Sequence, residues 1–220
     1  MIDTDKHKFW DAFRWVFLFV VLFVGLYYLA ESRHWSLFNY GVIPRDVANF
    51  WHILTIHFIH GNQEHLWNNV AAFSLLTGLL VFFYHEIAVK VFAWLWLISP
   101  VLLFFIGRDS HHIGASVLIY ALTAFLVSSG IMRKNSSLKR VALTVVFVYG
   151  YTVWYMFPIQ SGISWEGHLS GFVSGIAIAW FYRKKGPSDP VYQYELEPEL
   201  PDDDPFWLPQ EDGLSRKEGE

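Results

Sequence analysis

The chain has 220 residues, 54% hydrophobic and only 16% charged, where a soluble domain carries about a quarter. With 19% aromatic residues and a mean hydropathy of +0.30, this is an integral-membrane composition. The formal net charge of -4 gathers in an acidic C-terminal tail, nothing argues for nucleic-acid binding, and the lack of cysteine excludes disulfides and thiolate catalysis.

Six apolar segments approach the roughly 20 residues that cross a bilayer: 13–30, 65–84, 87–107, 113–132, 141–159 and 165–182. Such spans are expected to be helical, because each must satisfy its own backbone polar groups. The first is too long for a cleaved leader and reads as a retained span, preceded by a short cytoplasmic segment, 1–12. Pro100 is expected to kink the third. The connection 31–64 is rich in Trp, Phe and Tyr and reads as a loop at headgroup level. Within it, Arg45 and Asp46 are expected to pair locally. Gly25, Gly78 and Gly150 read as packing positions. From residue 186 on, the chain is acidic and Pro-rich, the composition of a disordered tail.

Basic residues orient the arrangement. Lys6, Lys8, Arg14, Lys90, Arg133, Lys134, Lys139, Arg140, Arg183, Lys184 and Lys185 fall on one side, and Arg33, Arg45 and Arg108 on the other. The excess marks the cytoplasmic side, so both termini are expected there. His65, Ser116 and His168 then lie at the outer ends of their spans.

Ionisable groups in membrane spans are costly and usually mark function. Ser116 and His168 are the residue types of a nucleophile and its general base. Ser116 and Tyr120 share a helix face, as do His65 and Asn69. Gly171 and Gly175 form a small-residue face just below His168, where a neighbouring helix can approach closely. A crossing of the fourth and sixth spans would bring His168 to Ser116, with the Tyr120 ring packed on the imidazole. His65, Asn69 and the Ser116 amide would supply donors for an oxyanion, and Gly114 eases the turn into the fourth helix.

Other readings are weaker. Several histidines, among them His57, His60, His111 and His112, lie on the outer side, but the His-Glu-x-x-His pattern fails after His85–Glu86, and no metal is expected. None of the spans contains Asp, which disfavours an aspartyl protease. A transporter would want ionisable groups near the midplane.

The stretches HLWNN, GAS with Tyr120 beyond it, and HLSGFVSG resemble the H-x-x-x-N, G-x-S and H-x-x-G-x-x-x-G elements of the rhomboid intramembrane serine proteases. The likeness spans about residues 10–185. It implies an all-α, six-transmembrane-helix rhomboid-like bundle over 13–185. It implies a Ser116–His168 dyad, assisted by His65 and Asn69, that cleaves transmembrane protein substrates near the outer face of the bilayer without cofactor. Trp67, Trp154 and Tyr155 are candidates for its substrate gate. Where the common motif has glycine after the serine, this chain has Val117. A bulky residue there could widen the helix crossing, and it keeps open a non-proteolytic rhomboid-like protein that binds transmembrane clients. A six-span core without a large added domain suggests a bacterial plasma membrane.

Overall fold

Helix boundaries decide where the polar groups end up. The computed structural model describes residues 3–160 and 162–187, and among these it contains six α-helices: α1 (Asp3–Arg33), α2 (Gln63–Phe83), α3 (Ala88–Ile106), α4 (Ser116–Met132), α5 (Ser136–Tyr149) and α6 (Trp165–Phe181). Three of them, α1 to α3, are long and apolar enough to cross a membrane, and α4 is a shorter apolar helix. Residues 3–12 are continuous with α1. The expected acidic tail lies, from residue 188 on, outside the described residues.

Side-chain caps fix several starts. Asn62 accepts from the His65 amide at 2.7 Å to open α2, and Asn135 accepts from Ser137 and Leu138 to open α5. Ser164 accepts from the Gly167 amide at 3.2 Å to open α6. Such caps satisfy amides that have no partner within the helix. α4 has no side-chain cap.

The fifth expected segment, 141–159, is not one helix. α5 stops at Tyr149 and a 3-10 helix, Gly150–Met156, follows. Carbonyls here are used elsewhere: Thr152 O accepts from the Tyr120 hydroxyl at 2.7 Å, and Tyr155 O bonds the His168 ring at 2.9 Å. A carbonyl held by a distant side chain is drawn out of the α ladder, which apolar periodicity cannot reveal.

α4 is the innermost helix, packed on α2, α3, α5 and above all α6. Gly171 and Gly175 make that last crossing possible. A Cβ at Gly171 would overlap the Val117 carbonyl, and one at Gly175 the Ala121 carbonyl. The close approach expected of these two glycines is present. Gly25 and Gly150 differ: a side chain at either would meet open space or only its own helix, so they are not close-packing positions.

The connection between α1 and α2 is folded into three 3-10 helices, Phe38–Tyr40, Val47–Leu54 and Ile56–Phe58. Arg45 and Asp46 do not pair. Arg45 instead donates to Gly107 O at 2.7 Å at the end of α3, and Asp46 caps the second 3-10 helix through Ala48 and Asn49. A guanidinium at a helix C-terminus satisfies carbonyls that have no partner within the helix. Val42, Ile53, Ile56, Leu103, Phe104 and Val117 form a small apolar cluster under this segment. Burying each such side chain contributes about 1.5–3 kcal/mol relative to water.

Candidate active site

Ser116 is the first residue of α4, after the loop 107–115. The first ladder bond there runs from the Ile119 amide to Ala115 O, so the amides of Ser116, Val117 and Leu118 precede it and point out of the helix end. Gly114 turns the chain with φ +107°, and a Cβ at that position would come within 2.7 Å of the His65 ring. Glycine is therefore needed twice over, for backbone conformation and for space.

His168 lies one turn into α6 and is buried. Its Nδ1 is 2.9 Å from Tyr155 O. A carbonyl only accepts, so Nδ1 carries the proton and Nε2 keeps its lone pair. The Tyr120 ring stacks on the imidazole with centroids 4.1 Å apart and planes 10° apart, and its hydroxyl is held by Thr152 O. The ring is thus fixed in tautomer and in plane, as a general base requires. The expected stacking of Tyr120 on His168 is present. The carbonyl behind the imidazole was not legible, because nothing in a residue's type reports its backbone hydrogen bonds.

Ser116, His168, His65 and Asn69 line one cavity of about 560 Å³. Ser116, His168, Asn69 and Tyr120 also line a second cavity, of about 530 Å³, beside Asn68, Tyr149, Thr152 and Tyr155. Among the described residues the Ser116 side chain makes no hydrogen bond, neither to His168 nor to another group. Catalytic hydrogen bonds commonly tighten only when substrate binds. Asn69 is buried, and its Nδ2 has no partner among the described residues. A buried donor left bare is destabilising, typically by about 1–3 kcal/mol. Here it borders the cavity beside Ser116. Of the gate candidates, Tyr155 lines both cavities, whereas Trp67 and Trp154 are exposed.

Val117 does not enter the cavity. Its side chain is buried in the outer apolar cluster, and it is close enough to α6 that a Cβ at Gly167 would meet it at 3.1 Å. The crossing accommodates the valine because Gly167 and Gly171 face it.

Sequence reasoning missed a polar network beside the site. His112 is buried, and its Nε2 bonds Arg108 O at 3.0 Å, so its Nδ1 accepts from the Ser164 hydroxyl at 2.5 Å. Burial holds the His112 pKa below the usual imidazole value, which keeps the ring neutral and this tautomer in place. Glu166, only 3% exposed, lies 3.5 Å from Arg108. The sequence did offer one signal: Ser164 followed by Trp165–Glu166–Gly167 is a helix start with a first-turn carboxylate.

An all-helical bundle with membrane-length apolar helices defines an integral membrane protein. Comparisons with known proteins agree. Residues 47–185 match the Rhomboid domain. An uncharacterized protein of Mycobacterium tuberculosis is 30% identical over 185 residues, covering 76% of each chain. An uncharacterized protein of Mycobacterium leprae is 29% identical over 195 residues, 81% of this chain and 75% of its own. A rhomboid-named protein of Acanthamoeba polyphaga mimivirus is 30% identical over 139 residues, 60% of this chain and 75% of its own. The chain belongs to the rhomboid family.

Proposed function

We propose that the protein is an intramembrane serine endopeptidase that cleaves transmembrane protein substrates near the outer face of the bilayer. The observation that carries this reading is the fixed imidazole. His168 has its Nδ1 committed to Tyr155 O and its ring stacked on Tyr120, and its Nε2 is free at a cavity shared with Ser116.

In this reading Nε2 takes the Ser116 proton as Oγ attacks the scissile carbonyl carbon. The resulting oxyanion is met by the Ser116 amide, Asn69 Nδ2 and the His65 ring. The C–N bond then breaks, and His168 returns the proton to the leaving amine. Water enters through the outward cavity, His168 deprotonates it, and its attack on the acyl ester regenerates the Ser116 hydroxyl. No cofactor takes part. Tyr120 orients the base, while Gly171 and Gly175 set the helix spacing on which the dyad depends.

All six helices are read as spans, with both termini cytoplasmic and the site outward. α4 has 17 residues, about 26 Å of helix at ~1.5 Å per residue, against roughly 30 Å of hydrocarbon. A helix of that length lets its serine end lie below the outer surface, where the cavity can admit water. The mycobacterial relatives favour a bacterial plasma membrane. The alternative, a non-proteolytic rhomboid-like protein that binds transmembrane clients, rests on Val117, whose side chain is buried against α6 at Gly167.

The test is cleavage of single-span reporters by protein reconstituted in vesicles. Wild type is expected to cut a reporter with a helix-destabilising segment near its outer end, and Ser116→Ala and His168→Ala are expected not to. Equal cleavage by wild type and Ser116→Ala would end the proposal.

A further inference from the structure

Ser116 and His168 sit at the starts of two helices, and each start follows an irregular loop. Below them, Gly171 and Gly175 fix the crossing of α4 and α6. Above them, four side chains join the loops. Arg108 Nη2 donates to Ile163 O at 2.8 Å, and Nη1 lies 3.5 Å from Glu166 Oε1. The Ser164 hydroxyl donates to His112 Nδ1 at 2.5 Å while its oxygen accepts the Gly167 amide at 3.2 Å. His112 is itself anchored: Nε2 bonds Arg108 O, and its backbone pairs in both directions with Val42. The loop that carries Ser116 is therefore pinned on one side to the outer connection and on the other to the first turn of α6.

We propose that Arg108, His112, Ser164 and Glu166 are positioning residues that set the reach between the Ser116 oxygen and the His168 Nε2. This rests on the proteolytic reading of the dyad. Glu166 argues for a role beyond stability. It is almost wholly buried, yet its Oε2 has no partner among the described residues, and its one ion pair is to an Arg108 whose side chain is half exposed. A buried carboxylate with one bare oxygen is poor material for stability, since replacing a buried ion pair by apolar groups is often neutral or stabilising. Its geometry, in contrast, is specific. The carboxylate is two residues from His168, and its partner Arg108 is eight residues before Ser116. The dyad has a gap to close when substrate binds, and a tie between the two loops limits how far it can open.

The experiment compares wild type with Arg108→Gln, Glu166→Gln, their double variant and Arg108→Lys, in vesicles with a transmembrane reporter. Each Gln variant is expected to lower kcat about tenfold with KM changed by less than about twofold. The double variant should fall no further than the weaker single one, because both break the same tie. Arg108→Lys should recover most of the rate. A separate readout follows the His168 imidazole by ¹⁵N NMR, assigned by difference from His168→Ala. Wild type should show Nδ1 protonated and Nε2 bare, and the Gln variants a shifted tautomer balance. Arg108→Gln changes a half-exposed side chain, so it carries the test if Glu166→Gln does not fold. Unchanged kcat with unchanged ¹⁵N signals, or losses that multiply in the double variant, would overturn the proposal. If wild type neither cleaves nor shows a variant-dependent His168 signal, both readings fall. If the signal shifts without cleavage, only the proteolytic reading falls.

Discussion

The two ends of the α4–α6 pair treat polar groups in opposite ways. At the inner end, buried Arg133 donates to Ser129 Oγ at 3.1 Å and Tyr182 O at 2.6 Å, and also to the carbonyls of Lys185 and Pro187. It lies against the Tyr84 ring as well, 5.9 Å from its centroid. Carbonyls left free at the end of α6 are thereby satisfied by the end of α4, and the guanidinium makes four hydrogen bonds. At the outer end, Asn69 Nδ2 is bare, Ser116 is unbonded, and the first amides of α4 are uncapped. The same two helices thus end once in a closed polar cluster and once in an open one. A closed cluster stabilises; an open one has room for a ligand that completes it. This contrast separates Arg133 from His168, although both are buried ionisable residues at helix ends.

The widest separation comes from Ser116→Ala and His168→Ala. Each should lower proteolysis on the order of 10⁴-fold, and Ser116→Ala should do so with almost no change in thermal unfolding, measured side by side on purified protein. Arg133→Met should do the reverse. Losing the charged hydrogen bonds should cost roughly 3 kcal/mol of stability, seen as a lower Tm, with the rate per folded molecule retained. Asn69→Ala is expected to lower kcat about 10²-fold, as loss of one oxyanion donor does, and to leave Tm unchanged or raised because a bare donor is removed. Raised KM with normal kcat would instead assign Asn69 to ground-state binding. Val117→Gly should cost about 2 kcal/mol through the lost contacts and helix propensity, without raising the rate. A large gain in rate would show that the valine throttles the dyad.

The smallest effect is a pH dependence of stability. His57 lies in the outer connection, wholly buried, with Nε2 bonded to Trp96 O. Burial lowers its pKa from 6.5 to about 4, outweighing that bond. Below pH 6.5 the unfolded chain takes up a proton that the folded chain refuses, so this contribution is complete above that pH and is lost as pH falls toward about 4. Tm should decline across that window, and His57→Gln should flatten the decline.

Most of the site was legible because its logic is local. The helix spacing of Ser116 to Tyr120 and of His65 to Asn69, and the glycines below His168, are periodic signals, and periodicity survives in one dimension. Helices α1 to α4 and α6 were legible for the same reason, whereas the fifth expected segment was not one helix. What escaped is non-local. The Tyr155 carbonyl behind His168, the Arg108–Glu166 pair and the Arg133 clamp each join groups far apart in sequence. The end of α5 at Tyr149 was missed because the 3-10 segment after it is as apolar as the helix, and its contacts with Tyr120 and His168 are with residues distant in sequence. Arg45 was misassigned because Asp46 is its sequence neighbour, whereas Gly107 at the end of α3 is 62 residues away.

The open outer cluster is tested most directly by reaction with a fluorophosphonate, followed by mass spectrometry of the modified peptide. The account predicts one adduct, on Ser116, lost in His168→Ala and unaffected by Arg133→Met once folded protein is matched. An adduct that forms equally fast without His168, or folded wild-type protein that never labels at Ser116, would contradict it.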